Sequence, residues 1–212
     1  MNTKININQL TEDQFNEISE FKFEYENAMI LSNQINQQSV TFYGGAKLDA
    51  KTETYKIIYE LAQEFGSRGW SVITGGGPGV MTAGIEGAKY TIGQSVGFRL
   101  RLNGEEPILK GDIDFLFEHF PPRKYALRQS NVYIYCPGSV GTLDELMENL
   151  DLMKTNKIPI RPIYLLNSSY WSGLIEWMES TIIDKWQLGD SSLKNLYKIV
   201  DTKEQILQDL VD

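Results

Sequence analysis

Asn131-Val-Tyr-Ile-Tyr-Cys-Pro-Gly-Ser-Val-Gly-Thr-Leu-Asp-Glu-Leu-Met-Glu148 decides the fold. Its first part, Asn131 to Cys136, is an apolar, strand-like run, and a helix begins straight after Gly138 and Gly141. A strand that turns at once into a helix leaves the first helical amides without partners and pointing outward. Such a turn attracts an anion. The helix dipole favours a negative group there by a few tenths to ~1 kcal/mol, and small residues let a phosphate approach the backbone. Thr142, Asp144 and Glu145 follow within about one helical turn, so a carboxylate adjoins the phosphate pocket.

The same unit recurs on both sides of this stretch. Ser39 to Gly45 reads as a strand ending in a glycine pair, and Thr52 to Phe65 as a helix. Trp70 to Thr74 is a strand, Gly75-Gly-Gly-Pro-Gly79 a loop, and Val80 to Tyr90 a helix with small residues suited to close packing on a sheet. Gln94 to Leu102, Ile113 to Phe117 and Ile160 to Leu166 supply further strands, and Pro121-Pro122 opens a helix carrying Arg123, Lys124 and Arg128. The chain beyond Leu166 reads as helical. Ahead of the first strand, Thr11 to Gln37 reads as a polar-rich helix with Phe15, Ile18, Phe21, Tyr25, Ala28 and Met29 at three- and four-residue spacing, its start capped by Thr11. This alternation predicts an α/β fold, a doubly wound and mostly parallel Rossmann-like sheet flanked by helices, with residues 1–38 as a helical extension and 39–212 as the α/β domain. In such sheets ligands sit beyond the carboxyl ends of the strands, where all three glycine-bearing turns fall.

Composition narrows the function. With a formal net charge of −8 over 212 residues, a nucleic-acid backbone is repelled by the average field, whereas a small phosphorylated metabolite needs only local amides and one or two cations. One cysteine leaves no disulfide framework, and one histidine leaves no zinc site built from several His or Cys. Met1 to Asn8 has no apolar signal core, and no run approaches the ~20 apolar residues of a membrane span, so a cytoplasmic protein without membrane contact is expected. The Gly75 loop departs from the dinucleotide fingerprint at Val80 and lacks the Gly-Lys-Ser/Thr of a Walker loop. Pro137 occupies the first glycine of a nucleophile elbow around Ser139, which makes a serine hydrolase a poor second.

Three segments in order, Thr74-Gly-Gly-Gly-Pro-Gly-Val-Met81, Arg123-Lys124 and Pro137-Gly-Ser-Val-Gly-Thr-Leu-Asp-Glu145, resemble the LONELY GUY family of nucleoside 5'-monophosphate phosphoribohydrolases, also filed as Rossmann-like "possible lysine decarboxylase" proteins. The resemblance runs from about Ser39 to the carboxyl end. It implies hydrolysis of the N-glycosidic bond of AMP or a cytokinin-type nucleotide, with Glu145 and Arg123 catalytic. It assigns Gly76, Gly77, Gly79, Met81, Lys124, Gly138, Ser139, Gly141 and Thr142 to substrate binding. No metal or organic cofactor is implied, and the protein is expected to be a homodimer. Ser139 stands where the family has a second glycine, either narrowing the phosphate cradle or donating its hydroxyl to it, and a catalytically weakened nucleotide sensor is the alternative.

Each of these residues also has a bland reading. Glu145 stands three residues after Thr142, the spacing of a capping box, and in that role its loss lowers stability by up to ~1 kcal/mol. Met81 reads equally as core filler, and Glu148 as a neighbour one turn beyond Asp144. His119 reads as a structural or surface residue. A lysine decarboxylase is disfavoured because nothing in the sequence marks a lysine for pyridoxal phosphate.

Overall fold

The computed structural model describes residues 10–102 and 109–210. The reading of Met1 to Asn8 lies outside the described residues. Seven strands, β1 (Ser39–Tyr43), β2 (Ser71–Thr74), β3 (Gln94–Leu100), β4 (Ile113–Phe117), β5 (Val132–Tyr135), β6 (Ile163–Leu166) and β7 (Tyr197–Val200), form one parallel sheet in the order β4-β3-β2-β1-β5-β6-β7. The chain builds outward from β1 to β4, then returns to the other side of β1 with β5. The point of reversal therefore lies between the carboxyl ends of β1 and β5, where a crevice opens.

Helices α2 (Glu53–Ser67), α3 (Val80–Ala88) and α7 (Lys203–Asp209) cover one face. There Ile58, Leu61 and Phe65 of α2 and Val80 and Ala83 of α3 pack on Val40, Phe42, Val72 and Ile134. Helices α1 (Glu12–Ser32), α4 (Phe120–Leu127), α5 (Val140–Lys154) and α6 (Ser168–Trp177) cover the other. Leu146, Leu150 and Met153 line one side of α5 and meet Tyr133, Tyr135, Ile163 and Leu165 together with the fully buried Trp171. Each such side chain contributes roughly 1.5–3 kcal/mol by leaving water. Covered on both faces, the central strands β1, β2 and β5 are buried at every residue, the serines and threonines of β1 and β2 included, rather than alternately.

The predicted elements are present with ends shifted by a few residues, and one expectation fails. The chain after β6 is not all helical. Tyr197–Val200 adds β7 at the sheet edge, with Ile163 opposite Tyr197 and Leu166 opposite Val200. Four residues carry too little two-residue alternation to stand out from Leu193, Leu196, Ile206 and Leu207, and pairing with β6 decides the outcome. The apolar stripe of α1 is also narrower than its sequence suggests. Phe21, Tyr25 and Ala28 turn inward together with Glu24, while Phe15, Ile18 and Met29 are at least half exposed. Thr11 caps α1 in a full capping box with Gln14. Among the described residues no helix is long and apolar enough to cross a membrane.

Candidate active site

The three glycine-bearing turns meet at the point of reversal and are tied by backbone bonds. Gly45 donates its amide to the Pro137 carbonyl at 3.0 Å, and its own carbonyl accepts from Val80 at 3.2 Å. Gly79, at φ +66°, is required here, because a β-carbon on it would collide with the Gly45 carbonyl. Gly138 is required for another reason. A β-carbon there would run into the side chain of Thr142 and crowd the Gly45 amide at 3.0 Å. Tyr170 of α6 braces the same turn by donating its hydroxyl to the Gly138 carbonyl at 2.8 Å.

A cleft of about 640 Å³ opens above these turns, lined by Gly44 to Leu48, Gly75, Met81, Arg123, Lys124, the turn at Pro137–Ser139 and Gly141–Thr142, Glu145, Phe120 and Tyr170 among others. Of the residues singled out from sequence, Met81, Arg123, Lys124, Gly138, Ser139, Gly141, Thr142 and Glu145 line it, whereas Gly76, Gly77 and Gly79 do not. The second loop spends its amides internally. Gly76 donates to Thr74 Oγ1 at 3.0 Å, Gly77 to Met81 Sδ at 3.3 Å and Val80 to Gly45. Its chemical contribution to the cleft is Gly75, where a β-carbon would displace the Arg123 guanidinium and press on Met81 Sδ.

The turn into α5 is different. Thr142 and Leu143 bond back to the Ser139 carbonyl, while among the described residues no acceptor stands against the amides of Val140 and Gly141. Gly141 is exposed, has no positive φ, and a β-carbon on it would meet nothing within 4 Å, so nothing in the fold demands a glycine there. Space left open beside two free amides suits a group from outside. Ser139 is the N-cap of α5 at φ −113° and ψ −164°, a conformation any residue adopts, and its hydroxyl makes no capping bond. A serine in place of glycine therefore costs the backbone no strain.

Glu145 does not belong to a capping box. With Ser139 as the N-cap, Thr142 sits inside the first turn and Glu145 a turn further on, its side chain only 14% exposed and facing Arg123. Arg123 Nη1 stands 3.4 Å from Glu145 Oε1, while Nε donates to the Phe98 carbonyl at 2.7 Å and Nη2 to the Gly75 carbonyl at 3.5 Å. These bonds hold the guanidinium plane in one orientation. Burial pushes the Glu145 carboxyl up to about 7, and Arg123 only partly opposes it. Such a perturbed acid in a cleft is typical of a reacting group. Behind Glu145, the Tyr135 hydroxyl donates to its backbone carbonyl at 3.0 Å, and Asn149 Nδ2 donates to the hydroxyls of Tyr135 and Tyr43 at 2.8 and 3.3 Å.

The other charges that α4 and α5 bring near the cleft are paired. Lys124 Nζ lies 3.0 Å from both Asp144 and Glu148, and Arg128 lies 3.1 Å from Glu148. Glu148 is thus a partner of these cations outside the cleft lining. His119 faces Glu24 of α1, and Cys136 is fully buried with its thiol pushed far up by desolvation. Among the described residues no cluster of His, Cys, Asp or Glu is arranged to hold a metal ion. Phe120, Tyr170 and the Gly44 to Leu48 loop were not among the binding residues expected from sequence. Only the Gly44-Gly45 pair carried a signal, and Tyr170 reaches the cleft solely through the packing of α6.

A family model described as "possible lysine decarboxylase" matches residues 76–210. The chain belongs to this family. Two relatives share its sequence over most of their length, both named cytokinin riboside 5'-monophosphate phosphoribohydrolase. The protein from Mycobacterium tuberculosis is 26% identical over 168 residues, 74% of this chain and 88% of its own, and that from Mycobacterium marinum is 29% identical over 170 residues, 75% and 88% respectively. Among solved structures, the molybdenum cofactor binding protein of Rippkaea orientalis superposes with a TM-score of 0.60 at 22% identity, covering 84% of this chain and 99% of that one. The molybdenum cofactor carrier protein of Chlamydomonas reinhardtii gives 0.58 at 19%, covering 84% and 100%. These likenesses establish the Rossmann-like fold of the family.

Proposed function

We propose that the protein hydrolyses the N-glycosidic bond of a nucleoside 5'-monophosphate, giving free base and ribose 5-phosphate. The observation that carries this reading is the placement of the buried Glu145, beside Arg123, in the same cleft as Ser139, Gly141 and Thr142, the turn into α5 that carries the two unpaired amides. The 5'-phosphate is held by the amides of Val140 and Gly141 with the hydroxyls of Ser139 and Thr142, and the base lies toward Met81 and Phe120. Departure of the base builds positive charge on the ribose ring. The ionised Glu145 stabilises that charge and directs water to C1'. The water oxygen bonds to C1' as the C1'–N bond breaks, one water proton leaves the nucleophile, and the base departs with a proton. Arg123 orients Glu145 and keeps part of its population ionised near neutral pH. The reading further includes a homodimer and a cytoplasmic location. Incubation with AMP and a panel of nucleosides and nucleotides tests it: base is released from monophosphates and not from nucleosides, and a panel without any base release refutes it.

Because Glu145 titrates at about 7, kcat/KM is expected to fall tenfold per pH unit below that value and to level off above it. A profile with the opposite slope would assign Glu145 the role of acid instead. Ser139 supports a second reading, a nucleotide sensor with blunted catalysis, since its side chain stands at the phosphate site. The two separate on Ser139→Ala. If the hydroxyl serves the phosphate of a substrate, KM rises roughly 10- to 150-fold with kcat little changed, the worth of one bond to a charged group. Nucleotide binding without base release in the wild type favours the sensor.

Decarboxylation through pyridoxal phosphate does not suit the residues present. A Schiff-base lysine needs a lowered pKa, whereas the cleft's Lys124 is held between two carboxylates that raise it above the ordinary lysine value against the opposing effect of burial. The other lysine of the cleft, Lys47, is exposed.

A further inference from the structure

Helix α4, which carries Arg123, lacks the means to hold its own first turn. It spans only eight residues, its N-cap His119 makes no side-chain capping bond, and its first turn contains no acidic residue. Pro121 and Pro122 bring no amides, and Arg123 closes the first turn with a cation, where the helix dipole disfavours it. So short a helix is marginal without outside support. That support comes from α1, more than ninety residues upstream. Glu24, 5% exposed, accepts from the amides of Glu118 at 2.6 Å and His119 at 3.1 Å, and its Oε2 stands 3.1 Å from His119 Nδ1. Phe21 packs on the His119 ring and Tyr25 on Tyr125, so rings on either side of Glu24 seat α1 against α4.

We infer that Glu24 is a positioning residue for the reaction, a carboxylate cap donated by α1 that clamps Glu118 and His119 at the entry to α4 and so sets Arg123 against Glu145. The inference rests on the reading of Arg123 and Glu145 given above. Phe120, the first residue of α4, lines the cleft, and Arg123 lies within one turn of the cap. Loss of the cap frees this turn and slackens the bonds of Arg123 to Phe98, Gly75 and Glu145. The groups around Glu145 are Arg123 and Lys124 from α4, Asp144 and Glu148 on α5, and the buried phenols of Tyr43 and Tyr135. Of these only the two cations favour its ionised form, and both ride on α4. A slack α4 therefore moves the ionisation of Glu145 to higher pH.

The test uses the full chain with Glu24→Ala, Glu24→Gln and, as a control on the solvent side of α1, Phe23→Ala. Base release from AMP is measured across pH, with melting temperature and amide hydrogen exchange alongside. Glu24→Ala is expected to lower kcat 10- to 100-fold while KM, set by the phosphate on α5, changes less than about threefold, and to shift the acidic limb upward. Glu24→Gln, which keeps an acceptor without the charge, falls between, and Phe23→Ala behaves as wild type. Variants that melt lower yet keep kcat and the limb overturn the inference, leaving Glu24 a purely structural cap. Should Glu24→Ala not fold, Glu24→Gln decides by the same two readouts. If the wild type releases no base from any nucleotide, the hydrolase reading fails on its own. Amide exchange over residues 118–127 then decides the cap: faster exchange in Glu24→Gln with residues 140–154 unchanged supports it, and unchanged exchange overturns it.

Discussion

Glu145→Gln is expected to reduce base release from AMP by about 10²- to 10⁴-fold, the range for loss of a group that assists proton transfer or stabilises developing charge, without lowering the melting temperature. At pH 8 the variant is expected to be more stable than wild type. The folded protein holds the Glu145 proton up to about 7, whereas the unfolded chain releases it near the ordinary glutamate value of 4.5. Between those values the native state binds more protons than the unfolded state, so stability falls as pH rises, and above 7 the full penalty remains. Glutamine removes that penalty, and a gain of about 1–3 kcal/mol follows at pH 8, fading as pH drops toward 4.5. Thermal melts at pH 5 and 8 beside a base-release assay check both halves. A Glu145→Gln protein that melts lower at pH 8 and still turns over AMP would remove Glu145 from the reaction.

Arg123→Lys is expected to be nearly as damaging as Arg123→Ala, each costing about 10²-fold or more in kcat/KM. Three acceptors surround the guanidinium, the carbonyls of Phe98 and Gly75 and the carboxylate of Glu145. A planar fork serves all three at once, and an ammonium on a flexible stem cannot. The two variants differ in their pH dependence. Arg123→Ala removes the positive charge that opposes desolvation of Glu145, so the acidic limb moves above 7, whereas lysine retains a charge and shifts it less. A lysine variant with wild-type kcat/KM would show that charge alone matters and that the fork does not.

Both predictions concern residues that stand out in the sequence, and the difference between what was legible and what was not is physical. The α/β alternation, the strands from Ser39 onward and the Pro137 to Glu145 turn are local features. Apolar runs long enough to show their period, and glycines placed directly between a strand and a helix, declare themselves within ten residues. Strand β7 did not, because a four-residue edge strand takes its identity from β6. The division of labour among the glycines was equally hidden. Three loops look alike as sequence, yet the amides of Gly76, Gly77 and Val80 are consumed by Thr74, Met81 and Gly45, while those of Val140 and Gly141 meet no acceptor among the described residues.

Glu24 makes the same point from the other direction. On the helical wheel of α1 it is one more acid in a polar-rich helix, and only the docking of α1 on α4 turns it into a buried cap. The order of residues by itself thus determined the type and succession of the main elements, the net acidic charge of the chain, and the pairing of an anion-attracting turn with a carboxylate one helical turn away. These follow from backbone chemistry and short-range spacing. Which amides remain unpaired, how deeply Glu145 is buried and where Arg123 points were decided by tertiary structure alone, because each depends on groups brought together from distant parts of the chain, where desolvation and hydrogen-bond competition are settled.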